Sequence, residues 1–249
     1  MIKEEKRWNG LSSLDLKLLA MALMLCDHLW ATVIPGSQWL TNLGRLAFPI
    51  FAFQVVEGYF ETADFWKYMK RLFLFALISE IPFNLMTGGS IFNPFEQNVL
   101  FTFCEGLLLI RLMEKAREKG KAAYFLTAAL CLLGGYLLGT ITFVNYYGAG
   151  VLTVLVFYLF RGKKYGFLWL FLSLLWIHGE LTGGMVYELT VLGLPVSFYQ
   201  QSLAVLALIP ISLYHGRQGP HSPGIQMACY WFYPVHMLVL ALIWLYGIN

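Results

Sequence analysis

Charge is scarce in this chain. Asp, Glu, Lys and Arg together make up 12% of 249 residues, about half the share usual in a soluble domain. That scarcity argues against a water-exposed globule, and a net charge of +3 is too small to argue for a nucleic-acid partner. HExxH, CxxC, P-loop and GxGxxG patterns are all lacking, so no metal or nucleotide cradle is expected. The four cysteines, Cys26, Cys104, Cys131 and Cys229, stand singly among apolar neighbours. They read as small core residues rather than as disulfide or metal pairs. With no low-complexity tract, internal repeat or separate polar region, residues 1–249 read as a single domain.

Apolar residues are abundant, at 59% of the sequence. They fall in nine segments, roughly 16–34, 44–60, 72–86, 98–113, 122–140, 149–160, 165–179, 201–214 and 227–247. Helical crossings of a bilayer need about 20 apolar residues each, so the expected fold is an all-α, polytopic membrane bundle of about nine spans, nine to ten if a weak segment is counted. That segment, 184–198, holds Glu188 and Pro195 and reads as a re-entrant or surface element. Basic residues lie in the N-terminal arm (Lys3, Lys6, Arg7), at Lys67, Lys70 and Arg71, from Arg111 to Lys121, from Arg161 to Lys164, and at Arg217. In a nine-span arrangement all of these share one side, and Arg45 is the one cation on the other. By the positive-inside rule the N-terminus is cytoplasmic, in a multi-pass protein of the cell membrane.

Ionisable residues inside apolar spans are costly unless they face protein or water, which makes them candidate site residues. Lys17, Met21, Met24 and His28 follow the spacing i, i+4, i+7, i+11 and share one helix face. At about 1.5 Å per residue His28 lies about 16 Å beyond Lys17. Asp27, His28, Arg45, Glu80 and Glu105 fall at one depth in the outer leaflet, where they are expected to surround one cavity. Asn98, Thr102 and Glu105 form a polar stripe that suits either that cavity or bonding between helices. Gln54, Glu57, Gly58 and Glu61 read as a snorkelling interfacial face. Tyr233 and His236 bring a second imidazole to membrane depth. His178 reads only as the end of the seventh span. Pro49, Pro82, Pro210 and Pro234 predict kinks.

Several of these stretches resemble the TraX family of pilin acetyltransferase-like membrane proteins. They are the segment Leu16 to His28, Gly44-Arg45-Leu46-Ala47-Phe48-Pro49, Glu57-Gly58, Arg71-Leu72, Ser79-Glu80-Ile81-Pro82-Phe83-Asn84, Asn98 to Thr102, Tyr147-Gly148 and Tyr233-Pro234-Val235-His236. The first span also resembles the opening helix of the wider transmembrane acyltransferase superfamily. There a basic residue precedes an essential His with ten residues between them, as Lys17 precedes His28, although Arg is commoner than Lys. The resemblance implies transfer of acetyl from cytoplasmic acetyl-CoA to an acceptor, a protein N-terminus or an envelope molecule, reached from the membrane or outer face. On that basis His28 is the expected general base. Asp27 points about 100° around the helix from it, so Glu80 or Glu105 is the expected orienting carboxylate. Arg45 would neutralise carboxylates or stabilise an oxyanion, and Arg71 and Lys17 would meet the CoA phosphates. A proton-coupled transporter or flippase is the alternative, or an assembly factor without chemistry.

Overall fold

The computed structural model describes residues 10–191 and 193–247. The N-terminal basic residues Lys3, Lys6 and Arg7 lie outside them. All nine apolar segments are helical. The α-helices are α1 (Ser13–Thr32), α2 (Gln38–Gly44), α3 (Ala47–Glu61), α4 (Phe65–Gly88), α5 (Val99–Glu118), α6 (Lys121–Ile141), α7 (Tyr147–Phe160), α8 (Gly166–Trp176), α9 (Leu208–Ser212) and α10 (Pro223–Tyr246). A π-helical turn, Ile177–Leu181, extends α8, and a 3-10 helix, Gln200–Ala207, leads into α9. Between them β1 (Val186–Val191) and β2 (Leu194–Tyr199) form an antiparallel hairpin with Tyr187 opposite Phe198. The weak segment 184–198 is therefore this surface hairpin.

Local chemistry sets the helix starts. Ser12 caps α1 in a reciprocal box with Asp15: the Asp15 N–H donates to Ser12 Oγ, and the Ser12 N–H donates to Asp15 Oδ2 at 2.8 Å. Asp64 caps α4 by accepting from the Lys67 N–H at 3.0 Å, and Ser222 caps α10 ahead of Pro223 in its first turn. Pro82 and Pro234 lie inside α4 and α10, where each removes one backbone donor.

The core is built around α7, whose residues from Gly148 to Tyr158 are all buried. A helix apolar on every side needs protein on every side, and α3, α5, α6 and α8 supply it. Close approach to α7 requires small residues. A Cβ on Gly106 of α5 would lie 2.6 Å from Val154, and one on Gly139 of α6 would lie 2.8 Å from the Tyr147 carbonyl. The helix α10 packs instead on α4 and α1.

Loops gather at two ends. At the proximal end the Ser13 N–H donates to Arg217 O (2.8 Å), Gln54 reaches Ser13 O (2.7 Å), and Arg161 pairs with Glu57 (2.6 Å). At the distal end the Gln97 N–H donates to Phe143 O (2.8 Å), and Tyr187 Oη donates to Asn42 (2.7 Å). Around the body the surface is apolar: Phe125, Leu126, Leu130, Leu133 and Ile141 of α6 are 60–71% exposed. Among the described residues α6 and α10 are long and apolar enough to cross a membrane, with mean hydropathy of 1.7 and 1.6. The other long helices carry more charge, as α4 does at Lys67, Lys70, Arg71 and Glu80, and α3, α7 and α8 are shorter than a full crossing.

Candidate functional site

A cavity of about 450 Å³ opens at the proximal end and runs inward between α1, α3, α4 and α10. Lys17 and Arg71 line its outer part, as do Gln54, Glu57, Gly58 and Glu61. The face of α3 expected to snorkel is therefore a cavity wall. Arg71 is held there by two aromatic residues: its Nε donates to Tyr230 Oη at 3.1 Å, and its guanidinium lies 5.1 Å from that ring's centre and 5.9 Å from that of Tyr68. Gln54 donates to Ser13 O, but its Oε1 is buried without a partner among the described residues.

At its inner end this cavity adjoins a chamber of about 60 Å³ that contains Asp27 and His28. Met24, Phe51, Val99, Phe103 and Tyr233 line both spaces. Lys17, Met21 and Met24 line the cavity, and Met24 and His28 the chamber, so the helix face expected from spacing is one continuous wall of the route.

Two polar arrangements meet at the chamber. In the first, Asp27 and Arg45 form an ion pair. The fully buried Thr41 strengthens it by donating to Asp27 Oδ1 (2.7 Å) and accepting from Arg45 Nη2 (2.9 Å). Arg45 Nη1 donates to Gln201 Oε1 at 3.0 Å, and Gln201 Nε2 donates to Nδ1 of the fully buried His178 at 3.4 Å. Across the His178 ring, Nε2 lies 3.2 Å from Thr153 Oγ1, whose own hydrogen goes to Ala149 O. Each bond in this chain runs from a donor to an acceptor, which is what a buried polar network requires. In the second arrangement His28 Nδ1 lies 2.8 Å from His236 Nε2, and His236 Nδ1 donates to Phe232 O at 2.7 Å.

The five ionisable residues expected in one layer thus divide. Asp27 and His28 line the chamber and Arg45 stands behind it, paired with Asp27, but Glu80 and Glu105 neither line it nor bond to these three. Glu80 accepts from the Asn98 side chain (2.5 Å) and backbone (3.2 Å), and Asn98 also donates to Ala76 O (2.8 Å) while capping α5. Asn98 therefore joins α4 to α5. Glu105 accepts from Thr142 at 2.8 Å. The expectation that Glu80 or Glu105 orients His28 is corrected: the partner the structure brings to His28 is His236. The reason is rotational, because Glu80 and Glu105 turn toward their own neighbouring segments.

Thr102 acts at one remove from the chamber. It is fully buried and donates to Asn145 O at 2.8 Å. That bond, with the one from Gln97 to Phe143, holds a turn in which Phe143, Tyr146 and Tyr147 all have positive φ (57°, 63° and 49°). Such backbone is strained for residues with a Cβ and persists only where the surroundings enforce it. Here it presents the Tyr146 ring to Phe48, 4.3 Å between centres, as part of the chamber wall. From the sequence Tyr146 and Gln201 went unmarked, and His178 was given no part in the site. The available signal was an imidazole and an amide placed inside otherwise apolar segments.

Comparison with known proteins adds an independent line. Residues 12–244 match the family model described as TraX protein. A similar chain is the probable fimbrial assembly protein FimC, serogroup H1, of Dichelobacter nodosus, 26% identical over an alignment of 250 positions that covers 92% of this chain and 94% of that one. No solved structure matches the chain significantly. The family match covers nearly the whole sequence and includes every residue of the chamber, so the chain belongs to the TraX family.

Proposed function

We propose that this protein is a membrane-embedded acetyltransferase, taking acetyl from cytoplasmic acetyl-CoA and passing it to an amine or hydroxyl acceptor. The observation that carries the reading is the route itself. A cavity large enough for an extended cofactor arm begins beside two cations and ends at a small aromatic chamber containing an imidazole. Lys17 and Arg71 would receive the CoA phosphates at the mouth, with the pantetheine arm inward and the thioester against His28. His28 Nε2 removes the proton of the attacking N–H or O–H. The freed electron pair adds to the thioester carbonyl, the C–S bond breaks, and the CoA sulfur takes the proton back from His28. The products are CoA thiol and the acetylated acceptor. Arg45, the nearest fixed cation, favours the developing oxyanion electrostatically while Asp27 holds it in place.

In this reading the helices make nine spans with the proximal, Lys- and Arg-rich end in the cytoplasm. The acceptor then reaches the chamber from the distal end or from the membrane. The fimbrial-assembly name of the similar protein favours an acceptor among the subunits of a surface appendage.

The test uses purified full-length protein in lipid with radiolabelled acetyl-CoA and membranes as the acceptor source. Label should pass to protein or lipid with wild type and not with a folded His28→Ala variant. Equal transfer by the two would remove His28 as the base. Substrate movement without loss of acetyl would indicate a transporter instead.

A further inference from the structure

The pairing of His28 with His236 carries an inference beyond naming a base. His236 Nδ1 faces the Phe232 carbonyl at 2.7 Å, and a carbonyl oxygen can only accept. Nδ1 therefore holds the ring's hydrogen, and Nε2 of the neutral ring holds a lone pair. That lone pair lies 2.8 Å from His28 Nδ1, so His28 Nδ1 must be the donor. The geometry agrees. The two ring planes differ by 3° with centres 5.0 Å apart. Parallel rings in face contact are separated by about 3.5 Å, which nitrogens 2.8 Å apart do not permit. The rings therefore lie edge to edge in a shared plane, the arrangement in which an N–H points along a lone pair. Phe232, stacked 4.7 Å from His236 at 12°, and the burial of His236 to 8% exposure keep that ring from turning.

We propose that His236 is a positioning residue for His28, and the inference rests on the acetyl-transfer reading above. It assigns the tautomer: with Nδ1 protonated, His28 keeps Nε2 as the one nitrogen able to take a proton from the acceptor. It also acts as the reaction proceeds. When Nε2 is protonated, the Nδ1–H bond to His236 becomes charge-assisted and strengthens, so it favours the transition state over the resting site. A neutral acceptor does this without a carboxylate beside the base. Asp27 is already occupied by Arg45 and Thr41.

Three substitutions in the full-length protein in lipid separate this role from packing. His236→Gln places a side-chain oxygen where Nε2 was and still accepts from His28. His236→Leu fills the space and accepts nothing, and His236→Ala does neither. With radiolabelled acetyl-CoA, kcat should fall about 100-fold in the Leu and Ala variants with KM for acetyl-CoA unchanged, and Gln should restore most of it. Histidine nitrogen NMR should find His28 protonated at Nδ1 in wild type and Gln, and lose that preference in Leu. Equal activity of Gln and Leu, or a wild-type His28 protonated at Nε2, overturns the proposal. If wild type transfers no acetyl at all, the functional reading fails, and the NMR comparison still decides whether His236 sets the tautomer.

Discussion

Arg45 and Gln201, 156 residues apart in the chain, share a 3.0 Å hydrogen bond, and the same guanidinium holds Asp27 on its other side. One planar fork thus ties the α2–α3 corner to α1 and to the 3-10 helix at once. A lysine could meet one of these partners but not all of them.

That fork makes a coupled pair. Its side chains are 17% and 20% exposed, little enough for removal of one partner to leave an uncompensated charge. Asp27→Ala or Arg45→Ala alone should lower stability by about 3 kcal/mol, the lower end for a buried pair because some water reaches it. The double variant should lose less than the sum, with a coupling of about 1–3 kcal/mol. Unfolding in detergent micelles measures the cycle, and strict additivity would mean the two charges do not interact.

Gly44 is a steric test of the chamber. A Cβ there would fall on the Asp27 side chain, 2.8 Å or less from its Cγ and Oδ1. Gly44→Ala must therefore push α2 away from α1 and move Asp27. Acetyl transfer should drop at least tenfold with helix content unchanged by circular dichroism. Gly134→Ala, with nothing within 4 Å of the new methyl, is the control and should match wild type.

The chamber should also limit the acyl group. Phe48 stacks on Tyr146 and lies 5.8 Å from the Phe103 ring, so packed aromatic faces make up much of the wall of the 60 Å³ space. Wild type should prefer acetyl-CoA to butyryl-CoA by about 100-fold, reflecting two extra methylenes at roughly 1–3 kcal/mol each. Phe103→Leu should narrow that ratio. Comparable rates with both donors in wild type would remove the chamber as a determinant of chain length.

At the mouth, Lys17→Gln and Arg71→Gln should each raise KM for acetyl-CoA several-fold with kcat nearly unchanged, the pattern of lost uniform binding. Added salt should raise the wild-type KM and affect the variants less. An unchanged KM in Arg71→Gln would leave its contacts with Tyr230 and Tyr68 as its whole role.

Much of this was legible in one dimension. Hydropathy located nine segments that are helical but missed α2, which is short and begins with polar Gln38. Pro195 and Glu188 marked 184–198 as a re-entrant or surface element, and the structure makes it a hairpin. The spacing of Lys17, Met21, Met24 and His28 defined the wall of the route, because helix periodicity alone decides which residues of one helix share a face.

The sequence by itself determined the apolar helices, the position of each polar residue along them and the family. It could not assign partners, since position along a helix says nothing about how far that helix is rotated about its axis. Glu80 and His28 can share a level and still face apart. Only the tertiary structure set those rotations, through contacts such as Gly44 against Asp27 and Gly106 against Val154. Side-chain packing at helix crossings brought His236 to His28 across 208 residues, and left Glu80 to Asn98.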